Sequence, residues 1–211
     1  MSAFEFFFSF YGLLLGLSVA VVATGVATAV QHRRKIRIGW LTPLLALFIG
    51  LDIASFWDSA WTNFRHLPFS YGLLVVGLAI ATVYFVAASL VFPHQIEDGM
   101  SLDDHFWANK RVVILLLVTA NLLSVGVLLA VNLNREGGVG LATAYGVTVG
   151  LYLLLVLPAA FTRRAWLFGA LIGLHTAVYL TIAVMSGLNP TPIVSEEGKV
   201  VNQPALSLPR R

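Results

Sequence analysis

The chain has 211 residues, of which 58% are hydrophobic and only 11% are charged, whereas an average globular protein has roughly 25% charged residues. This composition excludes a soluble domain and a disordered chain, and it indicates a protein embedded in a lipid bilayer. Because the chain contains no cysteine, disulfide scaffolds, zinc–thiolate sites and iron–sulfur clusters are excluded. The formal charge of +3 does not indicate a nucleic-acid partner, since the basic residues lie at the ends of apolar runs.

Six apolar runs are long enough to cross a bilayer, since a spanning helix needs about 20 apolar residues. They lack the alternation of barrel strands, so we predict six transmembrane helices. The acidic Glu5 and the absence of a cationic leader before the first run indicate a retained helix rather than a cleaved signal peptide. In the second run, Thr42 is expected to cap the helix ahead of Pro43. The runs occupy residues 6–30, 42–61, 69–92, 111–133, 139–161 and 166–188.

Lysine and arginine are unevenly distributed between the connecting loops. Loops one, three and five carry eight of them, whereas loops two and four carry two. Because positively charged loops stay in the cytoplasm, both chain ends are expected to face outward. We therefore expect a multi-pass protein of a prokaryotic inner membrane, whose partners are the lipid bilayer and either further copies of itself or other membrane subunits. The eight residues are Arg33, Arg34, Lys35, Arg37, Lys110, Arg111, Arg163 and Arg164.

Related strings open the odd-numbered helices, at Tyr11-Gly12, Tyr71-Gly72 and Tyr145-Gly146. Self-similarity of this kind predicts three copies of one helical hairpin, over residues 1–62, 69–133 and 139–188. The copies run in the same direction, so they are expected to be parallel repeats about an axis near the membrane normal. Glycines four residues apart in the first and fifth helices are expected to allow close helix packing. The predicted fold is therefore an all-α polytopic membrane protein.

The last segment, residues 189–211, is too polar to cross the membrane and is expected to form a short extracytoplasmic tail. Two short apolar runs around a glycine predict a small β-hairpin over residues 192–201.

Each even-numbered helix carries one polar residue about 15 to 18 Å from its cytoplasmic end, close to the bilayer centre. These residues are Asp52, Asn121 and His175, at equivalent positions of the predicted repeat. A carboxylate at this depth is costly without a partner, and an imidazole beside it can hold a proton near neutral pH. We therefore predict that Asp52 pairs with His175. A polar pathway toward the outer surface is predicted to include Ser55, Asp58, Ser59, Ser124 and Tyr179.

The third loop contains a cluster of acidic and imidazole side chains that could bind a divalent cation. Its spacing fits neither the calcium-loop nor the zinc-helix pattern. The competing interpretation is a solvated loop in which Ser101 and Asp104 form a capping box for a short helix leading to Lys110. The candidate metal ligands are His94, Glu97, Asp98, Asp103, Asp104 and His105.

Three function classes follow from these residues. The first is a small transporter or channel whose midplane site handles a proton or a cation. The second is a non-catalytic membrane subunit or scaffold whose polar residues fix helix packing. The third is an intramembrane hydrolase in which Asp52 and His175 serve Ser55 or Ser124. No phosphate loop, nucleophile elbow or zinc helix occurs in the sequence, and no cofactor is indicated.

Overall fold

The computed structural model describes residues 3–64, 70–95, 97–132 and 138–189. Within these ranges the chain forms six α-helices and no strand beyond an isolated bridge, and all six helices are long and apolar enough to cross a membrane. The prediction of an all-helical, multi-pass membrane protein is confirmed. The helices are α1 (Ala3–Gln31), α2 (Leu41–Phe64), α3 (Tyr71–Ser89), α4 (Leu102–Asn132), α5 (Gly138–Phe161) and α6 (Ala165–Leu188).

The start of α4 differs most from the sequence-based expectation. The helix begins at Leu102, so the predicted short helix is the first part of the fourth span itself. Two acidic residues, Asp103 and Asp104, lie in its first turn, where negative charge interacts favourably with the helix dipole. Hydropathy alone does not assign residues 102–110 to the fourth span, because their charged side chains lower the mean hydropathy of the segment.

The connections α1–α2 and α3–α4 pair at one end of the bundle. The amide of Gly99 donates to the carbonyl of Lys35 at 2.9 Å, and that of Arg37 donates to the carbonyl of Met100 at 3.0 Å. Thr42 does not cap α2 as predicted, because the helix begins at Leu41 and Thr42 lies inside it; its buried hydroxyl donates to the carbonyl of Leu102 at 3.0 Å. These bonds hold the starts of α2 and α4 together.

The bundle is built mainly from the pairs α1–α3, α3–α4 and α4–α5, with α2 packed against α1 and α4. Large side chains pack directly against two glycines of α1: Trp57 against Gly12 and Phe92 against Gly25. The expectation that the spaced glycines of α1 and α5 all mediate packing is wrong within this chain. Open space lies beside Gly16, Gly146 and Gly150.

The repeat tyrosines occupy three different environments: Tyr11 is buried, Tyr71 is exposed and Tyr145 is half-buried. The threefold repeat, the outward orientation of both chain ends and the polar tail stay predictions. Contacts divide the chain into two units, Met1–Tyr179 and Leu180–Arg211. The predicted hairpin at 192–201 lies outside the described residues.

Candidate functional site

One carboxylate lies inside the described part of the bundle. Asp52 in α2 is 1% exposed. It shares the buried face of α2 with large apolar residues three or four positions away, which places it in the core instead of toward lipid. Those residues are Phe48, Ile49 and Phe56.

The Asp52 carboxylate accepts hydrogen bonds from three other helices. Tyr84 in α3 donates its hydroxyl to Oδ2 at 3.1 Å, and Tyr179 in α6 donates to Oδ1 at 2.6 Å. The Nδ2 of Asn121 in α4 lies 3.1 Å from Oδ2. An ionised carboxylate only accepts hydrogen bonds, whereas phenols and amides carry hydrogens to donate. The site is therefore complementary to a negative charge and contains no cationic partner among these contacts.

Asn121 extends the cluster to α5. Its Nδ2 lies 3.2 Å from the hydroxyl of Tyr152 and 3.1 Å from the carbonyl of Leu117. The amide orientation follows from the surroundings, because the flipped amide would turn its oxygen toward the Asp52 carboxylate. Helices α2 to α6 thus each contribute at least one side chain to the cluster.

His175 contacts this cluster through its ring. The ring centroid lies 4.6 Å from that of Tyr179 and 5.2 Å from that of Tyr152. Asp52 and His175 do not form the predicted direct pair. Tyr179, one turn further along α6, contacts both residues, and its hydroxyl donates to the Asp52 carboxylate. Nε2 of His175, whose side chain is 8% exposed, has no hydrogen-bond partner among the described residues.

The residues of the predicted outward pathway separate into two groups. Ser55 is exposed and its side chain lies near the Tyr179 hydroxyl, at the border of the cluster. Asp58 is exposed, and Ser59 is half-buried and accepts a hydrogen bond from its own helix. Ser124 is buried without a hydrogen-bond partner in the described ranges. The structure therefore brings Ser55 next to the midplane cluster and leaves Asp58, Ser59 and Ser124 apart from it.

Sequence reasoning missed Tyr84 and Tyr152. Both are buried near the middle of their helices. A buried tyrosine usually finds a partner for its hydroxyl, and this requirement was the available signal. Sequence alone does not separate such tyrosines from those that anchor helix ends at the membrane interface, as Tyr71 is expected to do.

The third-loop cluster does not assemble as a metal site in the described ranges, where no three His, Asp or Glu side chains are placed to hold an ion. Asp98 forms an ion pair with Lys35 at 3.2 Å. Nε2 of His105 lies 3.1 Å from the carbonyl of Leu90. Because α4 begins at Leu102, Asp103, Asp104 and His105 point in directions about 100° apart around the helix.

A second buried charged group, Lys110 of α4, lies against the C-terminal end of α5. The ammonium of Lys110 in α4, which is 4% exposed, donates to the carbonyls of Ala159 at 2.9 Å, Ala160 at 3.3 Å and Thr162 at 2.5 Å. The last carbonyls of a helix lack partners within it, and the negative end of the helix dipole favours a cation. Lys110 thus ties α4 to α5.

Comparison with known protein families, with characterised proteins and with solved structures gives no match.

Proposed function

We propose that this protein is a small membrane transporter or channel that conducts protons by way of Asp52. The observation that supports it most directly is the position of the Tyr179 hydroxyl, which donates to the enclosed carboxylate at 2.6 Å and lies near the exposed Ser55. Two hydroxyls, those of Tyr179 and Ser55, thus lie between the buried acidic group and the surface of the bundle. Hydroxyls both donate and accept hydrogen bonds, which is what a proton relay requires.

The contacts of Asp52 favour a proton over a larger cation as the conducted species. Both carboxylate oxygens already accept hydrogen bonds from Tyr84, Asn121 and Tyr179. A metal cation binds to oxygen lone pairs and would have to displace these donors. A proton needs no cavity, because it moves along hydrogen bonds that are already present.

His175 supplies a further proton acceptor beside the relay. Its ring lies against Tyr179, and its Nε2 is unpartnered among the described residues. Imidazole exchanges protons in the physiological range more readily than any other side chain. In the proposed relay, the Tyr179 hydroxyl gives its proton to Nε2 of His175 and takes up the proton held by protonated Asp52, so Tyr179 stays neutral.

The test interrupts the relay at one oxygen atom. Purified Tyr179→Phe protein is reconstituted into vesicles with an imposed pH gradient, and the internal pH is followed with a dye. We expect proton flux to fall by roughly tenfold or more, as for loss of a positioned proton-transfer group. Tyr71→Phe is the matched control, because Tyr71 is 80% exposed, and its flux should equal that of the unmodified protein. Undiminished flux in Tyr179→Phe would contradict the relay.

The second candidate is a non-catalytic subunit in which the same cluster only fixes helix packing. It is favoured by the saturation of Asp52 with donors from α3, α4 and α6. In that case the unmodified protein carries no proton flux, and Asp52→Asn weakens the helix assembly. The hydrolase interpretation has no comparable support, because neither Ser55 nor Ser124 bonds His175 within the described residues.

A further inference from the structure

A cavity of about 530 Å³ opens between the end of α5 and the first turns of α4. It lies at the end of the bundle where loops one, three and five are found, far from the Asp52 cluster along α4. The residues that line it include three cations and no acid: Trp107, Ala108, Lys110, Arg111, Ala160, Phe161, Thr162 and Arg163.

Among the described residues, no acidic side chain neutralises the positive charge of this cavity. Arg111 and Arg163 are exposed, and in the part of the chain that the structure describes neither forms an ion pair. Lys110 is held by the α5 carbonyls at the cavity wall and adds a third positive charge. Two guanidinium groups beside one ammonium favour a phosphate group, which guanidinium binds in a bidentate manner.

Beside the cavity, exposed apolar side chains continue along the predicted membrane span of α5. Arg111 lies over the ring of Phe161, with its guanidinium carbon 4.9 Å from the ring centroid. Phe161 and, one and two turns before it, Leu157 and Leu154 are exposed along α5. A ligand that places its phosphate between the arginines can therefore lay hydrocarbon chains along these side chains.

We propose that this cavity binds the headgroup of an anionic phospholipid such as phosphatidylglycerol. Basic pockets between membrane helices on the cytoplasmic side recognise such headgroups. The inference does not depend on proton conduction, since it uses none of the residues of the Asp52 cluster.

The experiment measures lipid binding to the detergent-solubilised protein by native mass spectrometry, with phosphatidylglycerol and phosphatidylcholine as probes. We expect phosphatidylglycerol to bind in preference, and the double variant Arg111→Gln/Arg163→Gln to weaken its binding by about thirtyfold, as expected for the loss of two arginines near an anionic headgroup. The control Arg33→Gln/Arg34→Gln removes the same charge from exposed residues of the α1–α2 connection, and it should bind as the unmodified protein does. Circular dichroism checks the fold of both variants.

Three results would overturn the proposal. Equal loss in the two double variants would mean that general surface charge attracts the lipid. Equal binding of phosphatidylcholine would remove the selectivity for anionic lipid. Complete displacement by millimolar inorganic phosphate would identify free phosphate as the ligand instead of a lipid. If the double variant does not fold, the single change Arg163→Gln, in the short connection after α5, gives the same comparison against Arg33→Gln.

Discussion

Neutral donors, not a counter-ion, surround the buried charge of this protein. Asp52 accepts hydrogen bonds from two phenols and one amide, and such bonds make a carboxylate tolerable at a depth where an unpartnered one is costly. A hydroxyl keeps the ability to donate and accept after a proton has moved, whereas a fixed counter-ion would hold the carboxylate in one state. This difference is the chemical reason for linking the site to proton transfer.

At this scale we predict that Tyr84→Phe destabilises the fold, because it removes one donor from the carboxylate while keeping the ring. Interhelical hydrogen bonds in membranes contribute about 0.6 kcal/mol on average and up to about 1.7 kcal/mol. The free energy of unfolding, measured in mixed micelles, should decrease by an amount within that range. Tyr71→Phe, at an exposed position, should leave it unchanged, and an equal effect of the two changes would refute the assignment.

Lys110 gives a second prediction at the residue scale. Lys110→Met keeps the length of the side chain but leaves the carbonyls of Ala159 and Thr162 without their donor. Hydrogen bonds to charged groups contribute about 1.5 to 3 kcal/mol. The free energy of unfolding in mixed micelles should therefore decrease by about 2 kcal/mol.

The control is Lys35→Met, which breaks the exposed ion pair with Asp98. Exposed pairs contribute at most about 1 kcal/mol, so its effect should be the smaller of the two. Lys110→Arg should restore part of the loss. A larger effect of Lys35→Met than of Lys110→Met would show that the carbonyl contacts are not stabilising.

At the scale of the helices, length and hydropathy predicted the six spans because a bilayer demands long apolar runs whatever their neighbours are. The same reasoning failed at α4, where Asp103 and Asp104 interrupt the hydropathy but favour the helix start. It also failed for the predicted Asp52–His175 pair. The rotation of each helix about its own axis decides which side chain hydrogen-bonds the carboxylate. An apolar sequence carries little information about this rotation.

Packing on glycine gives the prediction for this scale. A Cβ on Gly25 would come within 2.9 Å of the Cβ of Phe92, whereas open space lies beside Gly150. Gly25→Leu should therefore push α1 away from Phe92, which follows the C-terminal end of α3. The free energy of unfolding should decrease by roughly 1 to 3 kcal/mol, as for other overpacked sites. Gly150→Leu should cost little. Unfolding curves of the two variants make the comparison, and equal midpoints would contradict this description of the α1–α3 contact.

For the molecule as a whole, the paired connections at Arg37 and Ser101 put loops one and three at the same end of the bundle. The excess of lysine and arginine there predicts that this end is cytoplasmic. Because the chain has no cysteine, single cysteines report sidedness cleanly. In intact cells an impermeant thiol reagent should label Thr62→Cys and Ser70→Cys but not Arg34→Cys or Arg163→Cys. The reverse pattern would invert the topology.

The most direct test of proton conduction is the flux through Asp52→Asn protein in vesicles. The substitution keeps the size of the side chain and its place in the cluster but removes the group that gains and loses the proton. Asp104→Asn, an exposed residue at the start of α4, is the matched control. We predict that flux is abolished in Asp52→Asn and unchanged in Asp104→Asn, with both proteins folded. Equal flux in the two variants would contradict a role for the buried carboxylate in moving protons.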